Sequence, residues 1–248
     1  MKVFIGTGRK GWSLGEFTTV DIDPNNKPNV VADAASMPMF DSGSADEVYA
    51  SHVLEHFAWP RALQPLQEWA RILKVSGVLK IAVPDMALFG ELLARGQNPW
   101  VVMSNVYGAH WLTPGGPQGH HYGWTYDMLT EVLTILGFED FRHWTSDLPE
   151  AANGWVFTGN GEHVGMSLNI AATKKSAPLV DIAELQKRIH PTKSLAETLE
   201  TFGPLGTIVP KSATYSQKLH FRLVEEHNRN KTLKEEIRVL KEELARRG

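Results

Sequence analysis

Four short apolar runs in the first 56 residues each end in a small or acidic residue, and their order constrains the fold most. The runs end, in turn, in Gly6-Thr7-Gly8, Asp21, Asp33 and Ser51-His52. Short runs rich in β-branched residues are typical of buried parallel strands. Because ligands of open α/β sheets bind beyond the carboxyl ends of the strands, these terminal residues are predicted to face one cleft.

The rest of the first 174 residues alternates between helical and strand patterns. Helical spacing occurs in residues 60–74, 86–95 and 126–136, strand patterns in 78–83, 138–144 and 166–173, and an irregular insert is predicted at 97–125. These patterns predict an α/β fold with a Rossmann-like, seven-stranded, mostly parallel sheet, helices on both faces and an antiparallel final strand. The segment between Gly8 and Asp21 is too short for a full helix, so a turn around Gly11-Trp12 is expected there.

The composition changes near residue 174, and this change predicts three parts: a domain at 1–174, a linker with a short helix at 175–214, and a long amphipathic helix at 215–248. The heptad pattern of this last helix places Leu223, Asn230, Ile237 and Leu244 at a, and Leu219, Glu226, Leu233 and Leu240 at d. Ile at a with Leu at d, together with a lone Asn at a, favours two parallel strands. We therefore expect a homodimer or another homo-oligomer; the alternative is a solvated helix packed on the rest of the chain.

Composition narrows the class of protein. The 248 residues are 42% hydrophobic and 21% charged, with a net charge of -3, so no basic footprint for nucleic acid is expected. The absence of cysteine excludes disulfides, thiolate metal sites and cysteine nucleophiles. No apolar stretch approaches the ~20 residues of a membrane span. We expect a cytoplasmic protein with no membrane span.

Several segments, taken in their order along the chain, resemble class I S-adenosylmethionine-dependent methyltransferases, most closely a compact bacterial group. They are Val3-Phe4-Ile5-Gly6-Thr7-Gly8, Val20-Asp21-Ile22, Val31-Ala32-Asp33-Ala34, Ala50-Ser51-His52-Val53-Leu54-Glu55-His56, Ser76-Gly77-Val78-Leu79 and Gly119-His120-His121. The resemblance covers roughly residues 1–174. It implies S-adenosyl-L-methionine as methyl donor and a small-molecule or glycan acceptor, methylated at oxygen.

The resemblance also implies seven cofactor-binding residues. They are Gly6 and Gly8 beneath the methionine moiety, Asp21 at the ribose hydroxyls, Asp33 and Ala34 at the adenine, and Ser51 and His52 beside the cofactor. In the alternative interpretation the glycines form only a tight turn, and the two acids only cap the segments that follow them. The chain departs from the family in having Phe4 and Ile5 where an acid or amide is usual, and we expect no segment before Met1 that would cover the cofactor.

Two adjacent histidines are the candidates for a general base. His120 and His121 lie in the glycine-rich insert, and a neutral imidazole can accept a proton from a hydroxyl nucleophile. Glu55 and His56 are rival catalytic candidates that would polarise the substrate. The alternative is that the histidines only order the insert. Trp100, Trp111 and Trp124 are candidates for stacking on a ring of the acceptor or for packing.

Two other functions compete with methyl transfer. His52-Val53-Leu54-Glu55-His56 matches the H-x-x-E-H pattern of a zinc peptidase helix, which would make the protein a metal-dependent hydrolase. Because His52 ends a predicted strand and no convincing third ligand follows in the sequence, we expect no metal site. The second competitor is a non-catalytic methyltransferase-like scaffold that works through its C-terminal helix.

Overall fold

Nine strands and five helices occur in this computed structural model, which describes residues 1–8, 15–108, 119–145, 156–159, 162–178 and 180–189. The strands are β1 (Lys2–Ile5), β2 (Phe17–Asp21), β3 (Val30–Val31), β4 (Ala45–Ser51), β5 (Leu73–Pro84), β6 (Phe138–His143), β7 (Val156–Gly159), β8 (Glu162–Gly165) and β9 (Ser167–Lys174). The helices are α1 (Leu63–Ile72), α2 (Met86–Ala94), α3 (Pro99–Val106), α4 (Tyr126–Ile135) and α5 (Ile182–Ile189).

The main sheet has the strand order β3-β2-β1-β4-β5-β9-β6. β1 pairs in parallel with β2 and β4, and the parallel arrangement extends to β3 and β5. Only β9 is antiparallel, since it pairs in that sense with both β5 and β6. The predicted seven-stranded, mostly parallel sheet is therefore confirmed. β7 and β8 form a separate antiparallel pair that the sequence patterns did not predict.

Alternate residues of the strands build the main core on one face of the sheet, because successive side chains of a strand point to opposite faces. Val3, Val48 and Ile81 lie in this core, each at most 1% exposed. α1 contributes a stripe at helical spacing that includes Leu66 and Trp69. Helices α4 and α5 pack into the same cluster of buried residues.

Aromatic side chains occupy the opposite face of the sheet. Phe4 and Tyr49 are each 1% exposed, and their rings lie 4.9 Å apart between centroids. Phe17 and Trp144 are partly buried against them, and the rings of Tyr49 and Trp144 meet edge to face at 5.1 Å. Both faces of the sheet are therefore apolar near β1 and β4, as expected for central parallel strands.

The insert predicted to be irregular contains a helix, α3. The side chain of Asn98 accepts a hydrogen bond from the backbone N–H of Trp100, and Pro99 occupies the first turn. An Asn cap followed by Pro at the first helical position is a recognised start signal. The apolar periodicity of the segment is weak, so the cap, and not the periodicity, is the sequence signal for α3.

A buried lysine joins β9 to the end of α1. Lys174 is 6% exposed, and its Nζ donates to the carbonyl oxygens of Ala70 and Leu73, each at 2.6 Å. Burial lowers the pKa of Lys174 below its ordinary value. The ammonium group satisfies carbonyls that have no intrahelical partner at a helix C-terminus, where a positive charge is also favourable.

The predicted linker contains a helix that packs on the core. Leu185 of α5 is 0% exposed, and the first of two compact units ends at Pro191. The turn around Gly11-Trp12, Trp111 and the heptads of residues 215–248 lie outside the described residues. Within the described part of the chain, no helix has the length and apolar character needed to cross a bilayer.

Candidate active site

The carboxyl ends of three parallel strands meet at one edge of the sheet. Ile5 lies opposite Val20 of β2 and Ala50 of β4, and the backbone N–H of Gly6 donates to the carbonyl of Val20 at 2.9 Å. The chain continues from β1 to β2 on one side, while β4 returns on the other side of β1. Such a change of direction opens the crevice in which doubly wound sheets bind their ligands.

The glycine turn after β1 brings the backbone close to this crevice. Gly6 and Gly8 have φ angles of +79° and +61°, a region that residues with a Cβ rarely adopt. A Cβ at Gly6 would overlap the Cγ2 atom of Val53. No described atom lies within 4 Å of the position that a Cβ of Gly8 would take, so Gly8 borders open space.

Asp21 links the glycine turn to the end of β2. Its side chain is buried, and Oδ2 accepts hydrogen bonds from Thr7 Oγ1 at 3.0 Å and from the N–H of Gly8 at 3.1 Å. Oδ1 accepts a third from the N–H of Asp23 at 2.9 Å. Since an ionised carboxylate offers about four acceptor positions, at least one remains for a further donor. This geometry is compatible with an Asp21 that binds the ribose hydroxyls and with an Asp21 that only caps the segment after β2.

Asp33 is paired with an arginine that the sequence analysis did not single out. Oδ1 of Asp33 accepts from the N–H of Ala35 at 2.9 Å, and Oδ2 accepts from Arg61 Nη2 at 2.5 Å. The Arg61 guanidinium also lies 5.4 Å from the ring centroid of Phe57. Ala34, beside Asp33, is 8% exposed. An adenine amino group at Asp33 would therefore share the carboxylate with Arg61.

Ser51 ends β4 and His52 follows it directly, and the His52 side chain contacts two other side chains. Its Nδ1 lies 2.9 Å from Glu55 Oε1 and its Nε2 lies 2.8 Å from Ser167 Oγ. His52 has a φ of +52°, and its backbone N–H donates to Ala82. Ser51 is buried. The imidazole of His52 thus connects Glu55 to the start of β9.

Glu55, His56 and His120 come together beside this strand end. One ligand atom of each lies within 4.8 Å of the other two, and His120 Nε2 is 3.9 Å from Glu55 Oε1. The Nδ1 of His56 lies 3.0 Å from the carbonyl oxygen of Gly119, and that of His120 lies 3.1 Å from the carbonyl oxygen of Val106. A carbonyl can only accept, so each Nδ1 carries a proton, and in the neutral form of each imidazole the Nε2 atom is then an acceptor.

The surroundings of the group lower the pKa of both Glu55 and His120. Glu55 is 1% exposed, and its Oε2 has no hydrogen-bond partner among the described residues. Burial raises the pKa of Glu55, but the hydrogen bond from His52 and the nearby histidines outweigh it, and the pKa lies below its ordinary value. Burial lowers the pKa of His120, and this effect is larger than that of the Glu55 carboxylate, which raises the pKa.

The insert is attached to the group through its backbone. The N–H groups of His121 and Tyr122 donate to the carbonyl oxygen of Glu55 at 2.7 and 3.2 Å. The side chain of His121 is exposed, whereas Trp124 is 1% exposed and therefore serves packing. Trp100 is 85% exposed. His120 and His121 are thus neighbours in sequence with different surroundings.

Comparisons with known proteins agree with this architecture. Residues 7–81 match the family described as a methyltransferase domain, which is less than half of the chain. The comparison with curated protein sequences gave no match. The match over residues 7–81 agrees with the resemblance predicted from the sequence, and S-adenosylmethionine is the methyl donor of the class to which that resemblance points.

Solved structures of methyltransferases match a longer part of the chain, 70–71% of its length. An S-adenosylmethionine-dependent methyltransferase from Archaeoglobus fulgidus has 19% identity and a TM-score of 0.47 over 70% of this chain and 85% of its own. An S-adenosylmethionine-dependent methyltransferase from Thermotoga maritima has 22% identity and a TM-score of 0.44 over 70% and 81%. A complex containing the Haloferax volcanii Trm112 methyltransferase activator matches with 16% identity and a TM-score of 0.43 over 71% and 82%.

Proposed function

We propose that the protein transfers the methyl group of S-adenosylmethionine to a hydroxyl group of a small-molecule or glycan acceptor. The observation that carries this proposal is the group formed by Glu55, His56 and His120, in which the buried Oε2 of Glu55 has no donor among the described residues. A hydroxyl supplies the missing donor. The group lies next to the end of β4, at the edge of the sheet expected to hold the cofactor.

The residues at that edge fit the cofactor. Gly8 borders open space, which a methionine moiety lying along the turn requires. Asp21 retains an acceptor position for a ribose hydroxyl, and Asp33 with Ala34 would contact the adenine. Ser51 lies at the end of β4, one residue before His52, whose side chain contacts Glu55. S-adenosylmethionine supplies a methyl group on a sulfonium, which is already a good leaving group.

The reaction then requires alignment and removal of one proton. The acceptor oxygen forms a bond to the methyl carbon, the carbon–sulfur bond breaks, and its electron pair stays on sulfur. The hydroxyl proton leaves toward the group of Glu55, His56 and His120, or toward His121, the neighbour of His120 in sequence. A base in contact with that proton typically contributes ~10²–10⁴-fold to the rate. Holding the two reactants in line contributes as well.

The matched variants His120→Asn and His121→Asn test the proposal. Asn retains a similar shape but has no basic nitrogen, so turnover should fall by ~10²–10⁴-fold in at least one variant while cofactor affinity stays nearly constant. The assay is transfer of labelled methyl from S-adenosylmethionine to a panel of methyl glycosides, phenols and amines. Methyl transfer to amines alone would contradict O-methylation. Equal turnover in both variants and the wild type would contradict proton removal by His120 or His121.

Two competing functions make different predictions in that assay. A non-catalytic scaffold would bind neither donor nor acceptor productively, and all variants would give the same background. A hydrolase built on the H-x-x-E-H pattern would need His52 and His56 as joint ligands, but both ring nitrogens of His52 already contact Glu55 and Ser167. This contact is the observation that disfavours the hydrolase.

We further propose self-association through the C-terminal helix. The heptad of residues 215–248, with Asn230 at a, supports a parallel dimer. The cytoplasm remains the expected compartment because the chain has no cysteine. The oligomeric state is testable by light scattering on the full-length chain and on a chain that ends at Pro191.

A further inference from the structure

The group of Glu55, His56 and His120 has the chemistry of a metal site as well as that of a proton acceptor. Its donor set is two imidazoles and one carboxylate, the combination that binds zinc in many enzymes while leaving a fourth position open. Imidazole nitrogen also suits iron and nickel. The pattern is distinct from H-x-x-E-H, because the second histidine is His120 of the insert and not His52.

We propose that Glu55, His56 and His120 bind one divalent transition-metal ion of the Zn²⁺ type and leave one coordination position open toward the acceptor. A tetrahedral ion with these ligands holds the ligand atoms about 3.3–3.5 Å apart. The observed separations are 3.9 Å between His120 Nε2 and Glu55 Oε1, and at most 4.8 Å within the whole group. Small rotations of the side chains bring the three atoms to the distance that a tetrahedral ion requires.

The contacts behind the ligands match those of a metal site. Ligating histidines usually donate their second nitrogen to a carbonyl or a carboxylate, which fixes the ring and the tautomer. His56 and His120 both do so, toward Gly119 and Val106. The Glu55 carboxylate is held in turn by His52 at 2.9 Å. These contacts leave each Nε2 available as a ligand.

The buried carboxylate is the independent observation that points to a cation. Glu55 is 1% exposed, and its Oε2 has no partner among the described residues. An ionised carboxylate in such a place is unfavourable unless a donor or a cation compensates it. The described contacts supply one hydrogen bond, from His52, to the other oxygen. A cation between the three side chains would compensate the remaining charge.

The role of the ion rests on the proposed methyl transfer, whereas its binding does not. A divalent cation with an open position would bind the acceptor oxygen and make its hydroxyl a stronger acid. His120 is then a ligand, and the proton passes to His121, the exposed neighbour, or to water. His120 would therefore bind the metal, and His121 would accept the proton.

Metal titration of the full-length, untagged chain tests the inference. After treatment with a chelator, the protein is titrated with ZnCl₂ in a calorimeter, and with Co²⁺ while its visible absorption is recorded. We expect one ion per chain and Co²⁺ bands of a site with nitrogen and oxygen ligands. Loss of an outer-shell partner costs about 10–100-fold in metal affinity, so His56→Asn and His120→Asn should each lose at least about 100-fold.

The control variant is His121→Asn, which removes the neighbouring imidazole outside the group and should bind Zn²⁺ as the wild type does. Glu55→Gln, which keeps the shape of the side chain and removes the charge, replaces any histidine variant that fails to give the wild-type circular dichroism spectrum. Absence of saturable Zn²⁺ binding, or binding unchanged in His56→Asn and His120→Asn, would overturn the site.

The same samples separate this inference from the proposed function. Methyl transfer to a hydroxyl in the presence of chelator, combined with absence of Zn²⁺ binding, would overturn the metal site alone. Zn²⁺ binding lost in the ligand variants, combined with no transfer to any hydroxyl of the panel, would overturn the proposed function and leave the metal site intact.

Discussion

Replacement of Gly6 by Ala perturbs the turn that follows β1 at the crevice. The structure indicates two separate contributions to the loss of folding stability. A residue with a Cβ at φ +79° is disfavoured by about 1–2 kcal/mol relative to glycine. The new Cβ would also overlap Cγ2 of Val53, and such overpacking typically costs about 1–3 kcal/mol. The free energy of unfolding should therefore fall by about 2–5 kcal/mol in total.

Gly8 provides the matched control for this prediction. It has a similar φ of +61°, but no described atom lies within 4 Å of its Cβ position. Gly8→Ala should therefore lose only the conformational cost of about 1–2 kcal/mol. Its methyl group would enter the space assigned to the cofactor, so cofactor affinity should fall although the fold is retained.

Urea unfolding monitored by circular dichroism measures these differences. The double variant Gly6→Ala with Val53→Ala removes the overlap and keeps the unfavourable φ, so its cycle should show a favourable coupling of about 1–3 kcal/mol. Equal stabilities of Gly6→Ala and Gly8→Ala, or zero coupling with Val53→Ala, would refute the proposed close approach of Gly6 to Val53.

Three further predictions concern other parts of the chain. Asp21→Ala should weaken S-adenosylmethionine binding by about 1.5–3 kcal/mol in calorimetry, the scale of hydrogen bonds to a charged group, and unchanged affinity in the folded variant would remove Asp21 from the site. Lys174→Met leaves two carbonyls at the end of α1 without their donor and should lower the free energy of unfolding by about 1.5–3 kcal/mol. Lys175→Met, which removes only an exposed ion pair, should change it by less than about 1 kcal/mol, and equal losses for the two lysines would contradict this ranking. A chain that ends at Pro191 should be monomeric by light scattering, whereas the full-length chain should be dimeric. The same number of chains per particle in both samples would refute the coiled coil.

Local sequence patterns predicted the elements that depend on them. The strands around Val48 and Ile81 were predictable because buried parallel strands are short, apolar and β-branched. The helical pattern of residues 126–136 ends before Gly137, which has a φ of +88° after α4. The helix after Asn98 was missed because its apolar periodicity is weak, although its cap was present.

The contacts within the candidate site were only partly predictable. Glu55, His56 and His120 were each candidates from sequence, but their convergence depends on where the insert folds back, which periodicity does not specify. His52 and Ser167 are 115 residues apart, so no local pattern indicates their contact. Arg61 and Asp33 are 28 residues apart, a separation that is also beyond the reach of a local pattern. Side-chain pairs of this kind follow from strand order and packing, both of which are set by the whole domain.

The most direct test of the methyltransferase assignment is calorimetric titration of the full-length protein with S-adenosylmethionine and, separately, with its demethylated product, S-adenosylhomocysteine. We expect saturable binding of both ligands at one site per chain, weakened in Asp21→Ala and Gly8→Ala. Absence of binding for both ligands to the folded wild-type chain would contradict the proposed methyl transfer and favour the non-catalytic scaffold.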